Sequence, residues 1–168
     1  MELLPKMDAV LIGCGLGQSQ GTLEVLSAVL EYAACPVGVD ADGINLVSKH
    51  TDLLRGRKAP TVVTPHDGEF ARLMGKLPEE DRTQAAMDGA TDLGCIMLLK
   101  GHETRISDGF VCYRNTSGNP GMAVGGSGDL LAGIITMTAL FSINLQIAGS
   151  NLAVERAIDT VFTSGPIM

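Results

Sequence analysis

A glycine-rich loop that ends in an acid is the segment most suited to chemistry. In NPGMAVGGSGDLLAGII (119–135), Gly126, Ser127 and Gly128 precede Asp129 and an uncharged apolar run that is typical of a helix. Glycines let backbone amides approach a ligand closely, and the amides of a helix's first turn bind anions. A carboxylate repels a phosphate, so Asp129 suits a base that takes a proton from a hydroxyl attacking phosphorus. A simple helix cap explains the same aspartate equally well.

Further polar or glycine-rich segments each follow a predicted strand. They are GCGLG (13–17), DADGIN (40–45), TPHDGE (64–69) and KGHET (100–104). Ligands of open α/β sheets bind beyond the carboxyl ends of the strands, where such segments meet. The sequence therefore predicts a ligand site at that edge of the sheet.

Each of these segments also has an alternative explanation without a ligand. The glycines of 13–17 do not have the spacing of a dinucleotide fingerprint. His66 is as easily a surface side chain, and Lys100 is either a phosphate partner or half of a structural ion pair. Asp40 and Asp42 are either ligands of a substrate or metal, or caps at a strand end.

The elements that must position these residues alternate along the chain. Strands are predicted at 8–13, 36–42, 60–66 and 95–101, helices at 21–34, 43–56, 67–75 and 79–94, and a hairpin at 104–115. Two further helices are predicted after the glycine loop. These short apolar strands, the one at 8–13 included, are expected to be buried. Such strands between amphipathic helices predict an α/β fold, a mostly parallel sheet with helices on both faces. Since the length suits one unit and no linker interrupts it, we expect a single domain over 1–168.

Composition limits the partners. The net charge is −7 and no basic run occurs, which argues against nucleic acid or an anionic membrane surface. An uncharged stretch at 130–154 is long enough to span a bilayer, but polar residues interrupt its second half, so we expect buried helices there. No signal peptide is evident at the N-terminus, which predicts a cytoplasmic protein.

The cysteines give no sign of a metal site or a disulfide framework. They are far apart, form no CxxC pair, and lie in apolar or loop segments: Cys14, Cys35, Cys95 and Cys112. Reduced core thiols are the expected state.

Taken in order, five motifs resemble those of the ADP/ATP-dependent NAD(P)H-hydrate dehydratases, a family of the ribokinase-like superfamily. They are GCGLG, VDADGIN, VVTPHDGEFARL, LLKGHETRISDG and NPGMAVGGSGDLLAGII, which extend from about Asp8 to Ile135. The combination of TPHDGE and GGSGD is the most specific part. The resemblance implies a ribokinase-like fold.

The resemblance also implies a repair reaction. Such an enzyme uses ADP or ATP to phosphorylate the hydroxyl of hydrated NADH or NADPH, and loss of phosphate restores the cofactor. Asp129 would be the base, and the amides of Gly126 to Gly128 would stabilise the transferred phosphoryl group. Mg²⁺ would accompany the nucleotide phosphates, with no metal ligands assigned to the protein itself.

The remaining site residues follow from position in the matching motifs. The adenine nucleotide would contact Lys100, Gly101, His102, Glu103, Thr104, Gly126, Ser127 and Gly128, and the hydrated cofactor would contact Gly15, Asp40, Asn45, His66 and Asp129.

The chain also departs from the family pattern. Ser127 stands where the family usually has Thr, Cys14 where it has Pro, and Gly43-Ile44-Asn45 where it has Ala-Leu-Asn. Family domains are longer at the N-terminus, so a truncated domain with an exposed sheet edge is expected, and with it a homo-oligomer. Two other functions stay open: a kinase for a small metabolite such as a vitamin precursor, and a catalytically idle nucleotide-binding module.

Overall fold

In the part of the chain that the structure describes, six short strands form one sheet in the order in which they occur in the chain. The computed structural model describes residues 4–78 and 81–117. Its strands are β1 (Val10–Ile12), β2 (Val37–Val39), β3 (Thr61–Val63), β4 (Ile96–Leu99), β5 (Arg105–Ser107) and β6 (Cys112–Arg114). Its α-helices are α1 (Gln20–Tyr32), α2 (Ala41–Val47), α3 (Asp67–Met74) and α4 (Arg82–Leu93), with 3-10 turns at Leu4–Lys6 and Thr51–Leu53.

The sheet is parallel from β1 to β4 and antiparallel from β4 to β6. A helix lies between each pair of parallel strands, as such crossovers require. The predicted α/β class with a mostly parallel sheet is therefore confirmed, and so is the hairpin predicted at 104–115. Its turn contains Asp108, whose carboxylate accepts hydrogen bonds from the amides of Phe110 and Val111.

The main core lies between the sheet and the described helices. Parallel strands in sequential order with right-handed crossovers place their connecting helices on one face. The described helices cover that face, so the prediction of helices on both faces stays a prediction. Buried side chains of all four helices share this core with alternate strand residues; they include Leu26, Leu30, Ile44, Phe70, Ala86, Val39, Val63 and Met97. On the opposite face, Val62 and Leu98 are buried in a smaller cluster.

The late segments of the chain lie outside the described residues. This applies to the glycine loop at 119–129, the helices predicted after it, and the uncharged stretch at 130–154. In the part that the structure describes, no helix is long and apolar enough to cross a membrane.

The single helix predicted at 43–56 was wrong. α2 begins earlier, at Ala41, because the Asp40 side chain accepts a hydrogen bond from the Ala41 amide. It ends at Val47, where the His50 amide bonds to the Val47 carbonyl, and a separate 3-10 turn follows at Thr51–Leu53. The apolar spacing predicted one continuous helix because Val47 and Leu54, which lie on either side of the break, are both fully buried.

Two predictions of burial were also wrong. β1 was expected to be buried, but it lies at an edge of the sheet, and the Leu11 side chain is 38% exposed. Cys14 was expected to be a core thiol, but it is exposed in the loop after β1, whereas Cys95 is buried. None of the four cysteines forms a disulfide.

Candidate functional site

A lysine and two carboxylates meet at the carboxyl edge of the sheet. The Lys100 Nζ lies 2.9 Å from Asp40 Oδ1 and 3.8 Å from Glu69 Oε2. Asp40 has no exposed surface, and only 6% of the Glu69 side chain is exposed. Buried carboxylates need a positive partner, so this ammonium group compensates both. The Lys100 side chain itself is 25% exposed.

Backbone hydrogen bonds between neighbouring strand ends bring these side chains together. The Asp40 amide donates to the Ile12 carbonyl at 3.1 Å, and the Lys100 amide donates to the Pro65 carbonyl at 2.8 Å. Asp40 follows β2 and Lys100 follows β4, so both lie where their strands end. The Ala41 backbone has a φ of +47°, a costly conformation for a residue with a side chain. The chain thus turns sharply after Asp40.

The end of β1 packs directly against this turn. Gly13 has a φ of +131°, and a Cβ at this position would lie 1.8 Å from the Asp40 carbonyl oxygen. A Cβ at Gly43 would lie 3.0 Å from the Ile12 carbonyl oxygen. Only glycine allows both backbones to approach so closely. These two glycines therefore keep Asp40 against the first loop.

His66 caps the N-terminus of α3. Its Nδ1 accepts hydrogen bonds from the amides of Gly68 at 3.0 Å and Glu69 at 3.3 Å. Glu69 completes a capping box, because its Oε2 accepts from the His66 amide at 2.9 Å. This pattern assigns the proton of the neutral imidazole to Nε2, which lies 3.4 Å from Glu69 Oε1. The side chain is 55% exposed, as its position after a strand predicted.

The loop that contains Gly15 is bound to α2 through Asp42. The Asp42 carboxylate accepts from the Gln18 side chain and from the Gly17 amide, each at 2.9 Å. Both hydrogen bonds lower the pKa of Asp42, and the bond from Gln18 has the larger effect. Gly15 has a φ of +66°, and a Cβ there would meet no atom of the described residues within 4 Å. The space beside Gly15 is therefore not filled by any residue that the structure describes.

The loop after β4 is fixed by arginines. Arg82 donates to the Lys100 carbonyl and to Asp67 Oδ1, each at 2.8 Å. Glu103 binds Arg105 Nη2 at 3.1 Å and also pairs with Arg114. The hydrogen bond from Arg114, followed by that from Arg105, holds the pKa of Glu103 below its ordinary value. This loop is therefore rigidly connected to α4 and to the hairpin.

The sequence model of the NAD(P)H-hydrate dehydratase family matches residues 1–164. The chain belongs to this family. It is 45% identical over 131 residues to the bifunctional NAD(P)H-hydrate repair enzyme Nnr of Mycobacterium tuberculosis, a match that covers 77% of this chain and 28% of that enzyme.

Two solved structures show the same fold as this member of the dehydratase family. One is the ADP/ATP-dependent NAD(P)H-hydrate dehydratase of Bacillus subtilis, co-crystallised with ATP and Mg²⁺; it is 33% identical with a TM-score of 0.65, covering 77% of this chain and 46% of that one. The other is a ribokinase-like superfamily protein of Enterococcus faecalis, 34% identical with a TM-score of 0.70, covering 80% and 48%. The fold is thus ribokinase-like, and the chain spans about half the length of these proteins.

The dehydratase motifs are brought together in part. Asp40, His66 and Lys100 lie in one network through Glu69. Asn45 lies further along α2, where its Oδ1 accepts from Arg72 at 2.9 Å. Gly15 is in the first loop, and Gly101, His102, Glu103 and Thr104 form the loop after β4. Gly126, Ser127, Gly128 and Asp129 lie outside the described residues.

Some side chains that organise this family site were not found from the sequence. Glu69 had a usable signal, because an acid three residues after a helix cap is the pattern of a capping box. The sequence contained no such signal for Arg82 or Arg72, because each binds a residue more than ten positions away in the chain. Among residues 4–78 and 81–117, no group of three His, Cys, Asp or Glu side chains could hold a metal ion.

Proposed function

We propose that this protein repairs hydrated NADH or NADPH by nucleotide-dependent dehydration. The terminal phosphoryl group of ADP or ATP moves to the hydroxyl oxygen of the hydrated ring, and the hydroxyl proton moves to a base. The C–O bond then breaks, phosphate leaves, and loss of a ring proton regenerates the dihydronicotinamide. The observation that carries this proposal is that Lys100 and His66 lie at the same carboxylate, Glu69, at the carboxyl edge of the sheet, where Lys100 also pairs with the fully buried Asp40.

Lys100 suits the nucleotide phosphates. Its ammonium group pairs with Asp40, and its side chain is one quarter exposed, so hydrogens not used by the carboxylates can point to a phosphate. Lysine binds phosphate as a point charge. The following loop, Gly101 to Thr104, would contact the rest of the nucleotide, with its shape supported by Arg82 and Glu103.

Gly15 and His66 suit the hydrated ring. No described residue fills the space beside Gly15, which leaves room for a planar group near the backbone. His66 uses Nδ1 to cap α3. The other ring nitrogen, Nε2, lies on the exposed edge of the ring and is a donor when the ring is neutral. In this proposal His66 orients the substrate. Asp40 contributes indirectly, by holding the Lys100 ammonium group in place.

Asp129 would take the hydroxyl proton, and the amides of Gly126, Ser127 and Gly128 would stabilise charge on the transferred group. Support for these roles comes from the sequence of the loop and from its resemblance to the family motif. Aspartate is acidic enough to be ionised at neutral pH, as a base must be.

Mg²⁺ enters the proposal only as the counter-ion of the nucleotide phosphates. Bound Mg²⁺ usually has substrate phosphates and water among its ligands. The described residues offer it no group of three acidic, histidine or cysteine side chains.

The decisive experiment is to mix the protein with hydrated NADH, Mg²⁺ and either ADP or ATP and to record absorbance in the NADH band. An increase that requires a nucleotide supports the proposal and identifies the donor. Asp129→Ala should abolish the increase while calorimetry still shows nucleotide binding. Residual activity within about tenfold of wild type, or ~1.4 kcal/mol of barrier, would remove Asp129 from the role of base.

The same assay separates the alternatives. A persistent phosphorylated product without repaired NADH would indicate a small-molecule kinase. Nucleotide binding with no product at all would indicate an idle module.

We also propose a cytoplasmic homo-oligomer that covers the β1 edge. Support comes from the position of β1 at the end of the sheet and from the exposure of Leu11. Light scattering at micromolar concentration tests this, and a monomer would contradict it.

A further inference from the structure

A polar pocket lies between α2, α3 and the first loop, beyond the residues assigned above to the ring. It has a volume of about 460 Å³ and is lined by Gln18, Asn45, Ser48, Lys49 and Arg72. The described residues of the lining thus carry two positive charges and no negative one, in a chain whose net charge is −7. Clustered cations in a concave site favour an anionic ligand.

The two cations differ in how they are held. Arg72 donates from Nη1 to Asn45 Oδ1 at 2.9 Å, which connects α3 to α2 and fixes the guanidinium group at the pocket wall. Its other N–H groups make no hydrogen bond within the described part of the chain. The Lys49 ammonium has no hydrogen bond or ion pair with any described residue either. Both side chains are exposed and can donate to a ligand.

The acid Asp42 is connected to the pocket through Gln18. Asp42 binds the side chain of Gln18 and the amide of Gly17, so both of its oxygens already accept hydrogen bonds. It is outside the lining set, and its charge offsets only one of the two cations. The described lining itself therefore keeps its two positive charges.

The pocket lies along the two helices that begin at the proposed catalytic edge. Arg72 is six residues after His66 and Asn45 is five after Asp40, which correspond to roughly 9 Å and 7 Å along each helix axis. A dinucleotide whose nicotinamide ring lies near His66 is long enough to place a phosphate group there.

We propose that Lys49 and Arg72 form an anion subsite that binds a phosphate group of the dinucleotide substrate, with Gln18, Asn45 and Ser48 as polar walls. This inference rests on the proposed function for the nature of its ligand. Two phosphate sources share this chemistry: the pyrophosphate bridge, present in both hydrated cofactors, and the 2′-phosphate, present only in hydrated NADPH.

The test compares kcat/KM for hydrated NADPH and hydrated NADH in the wild-type chain, Lys49→Gln and Arg72→Lys. Lys58→Gln is the control, because Lys58 is exposed in the loop before β3, at the opposite end of the strands. Loss of a charged hydrogen bond should lower kcat/KM of Lys49→Gln by about tenfold or more. Arg72→Lys should fall less, because it keeps the charge and loses the fork of donors.

A selective loss for hydrated NADPH supports the subsite and identifies the 2′-phosphate, whereas an equal loss for both substrates supports it and identifies the pyrophosphate. If Lys49→Gln behaves as Lys58→Gln with both substrates in an active enzyme, the subsite is overturned and the proposed function stands. If the wild-type chain repairs neither substrate, the proposed function fails, and calorimetric titration of the same variants with NADPH decides the subsite alone. Weaker NADPH binding by Lys49→Gln than by Lys58→Gln would then support it, and equal binding would overturn it.

Discussion

The Lys100 ammonium lies 2.9 Å from Oδ1 of Asp40, a residue sixty positions earlier in the chain that has no exposed surface. The pair connects the end of β2 with the end of β4, although β3 lies between these strands. The same ammonium lies 3.8 Å from Glu69, which caps α3 together with His66. The charge network therefore fixes three chain segments at the edge where the site is proposed.

Replacing the lysine of this pair should destabilise the protein. Lys100→Met leaves the buried Asp40 carboxylate without its positive partner, which costs about 3 kcal/mol when both groups are buried. Because Lys100 is 25% exposed, we expect a smaller loss, about 2 kcal/mol in the free energy of unfolding. Urea denaturation of Lys100→Met measures this. Lys58→Met is the control, and an equal effect of the two substitutions would show that the ion pair adds nothing.

The close approach of Gly13 to Asp40 predicts a large difference between two glycine substitutions. The Cβ of Gly17→Ala would meet no described atom within 4 Å, so this substitution should cost only the strain of its φ of +77°, roughly 1–2 kcal/mol. Gly13→Ala adds a Cβ at 1.8 Å from the Asp40 carbonyl oxygen and should either fail to fold or lose more than about 4 kcal/mol. Circular dichroism and urea denaturation of both variants test this. Equal stabilities would contradict the packing described for the first loop.

Arg82 is expected to act as a positioning residue for the loop after β4. Without its bonds to the Lys100 carbonyl and to Asp67, the loop loses its fixed shape. Arg82→Ala should weaken ADP binding by about tenfold in calorimetric titration. Arg82→Lys should recover only part of the lost affinity, because lysine lacks the planar set of N–H donors of the guanidinium group. Arg55→Ala is the control, because Arg55 also donates to a backbone carbonyl, that of Asp92, but on the surface. Unchanged ADP affinity would exclude this role.

The thiols should react in an order set by exposure and pKa. Burial raises the pKa of Cys95 to about 12, so very little of it is thiolate at pH 8. Cys14 is exposed in the first loop and should be alkylated first by iodoacetamide, with Cys95 last. Peptide mass mapping over time measures the order. In urea the four rates should converge, and rapid modification of Cys95 in the native protein would contradict its burial.

Stability should fall in acid because several carboxylates have lowered pKa values. The amides of Val111 and Phe110 lower the pKa of Asp108 below its ordinary value of 3.8. The unfolded chain then binds more protons than the native one, so this contribution is present above about pH 4 and is lost as the pH falls through the folded-state pKa. Asp108→Asn keeps a side-chain oxygen that can accept these hydrogen bonds, but it removes the ionisable carboxyl group. Its unfolding free energy should depend less on pH between 4 and 2 than that of wild type, whereas parallel curves would contradict the prediction.

Local patterns predicted much of the fold. The apolar runs of β2, β3 and β4 were identified because a strand buried on both faces is apolar without alternation. The hairpin was identified because Asp108-Gly109 is a strong turn signal. The break between α2 and the turn at Thr51–Leu53 was missed, since Val47 and Leu54 are buried in one core and maintain an apparently continuous pattern.

The sequence by itself determined the α/β class and the family, because strand periodicity, glycine turns and motif order are all local properties of the chain. Only the tertiary structure decided which side chains work together. The pairing of Lys100 with Asp40, the clamp of Arg82 on the loop after β4, and the pocket of Lys49 and Arg72 all join distant positions. Such contacts depend on how strands and helices pack, and the free energy of a buried charge depends on its surroundings in space, which no local pattern contains.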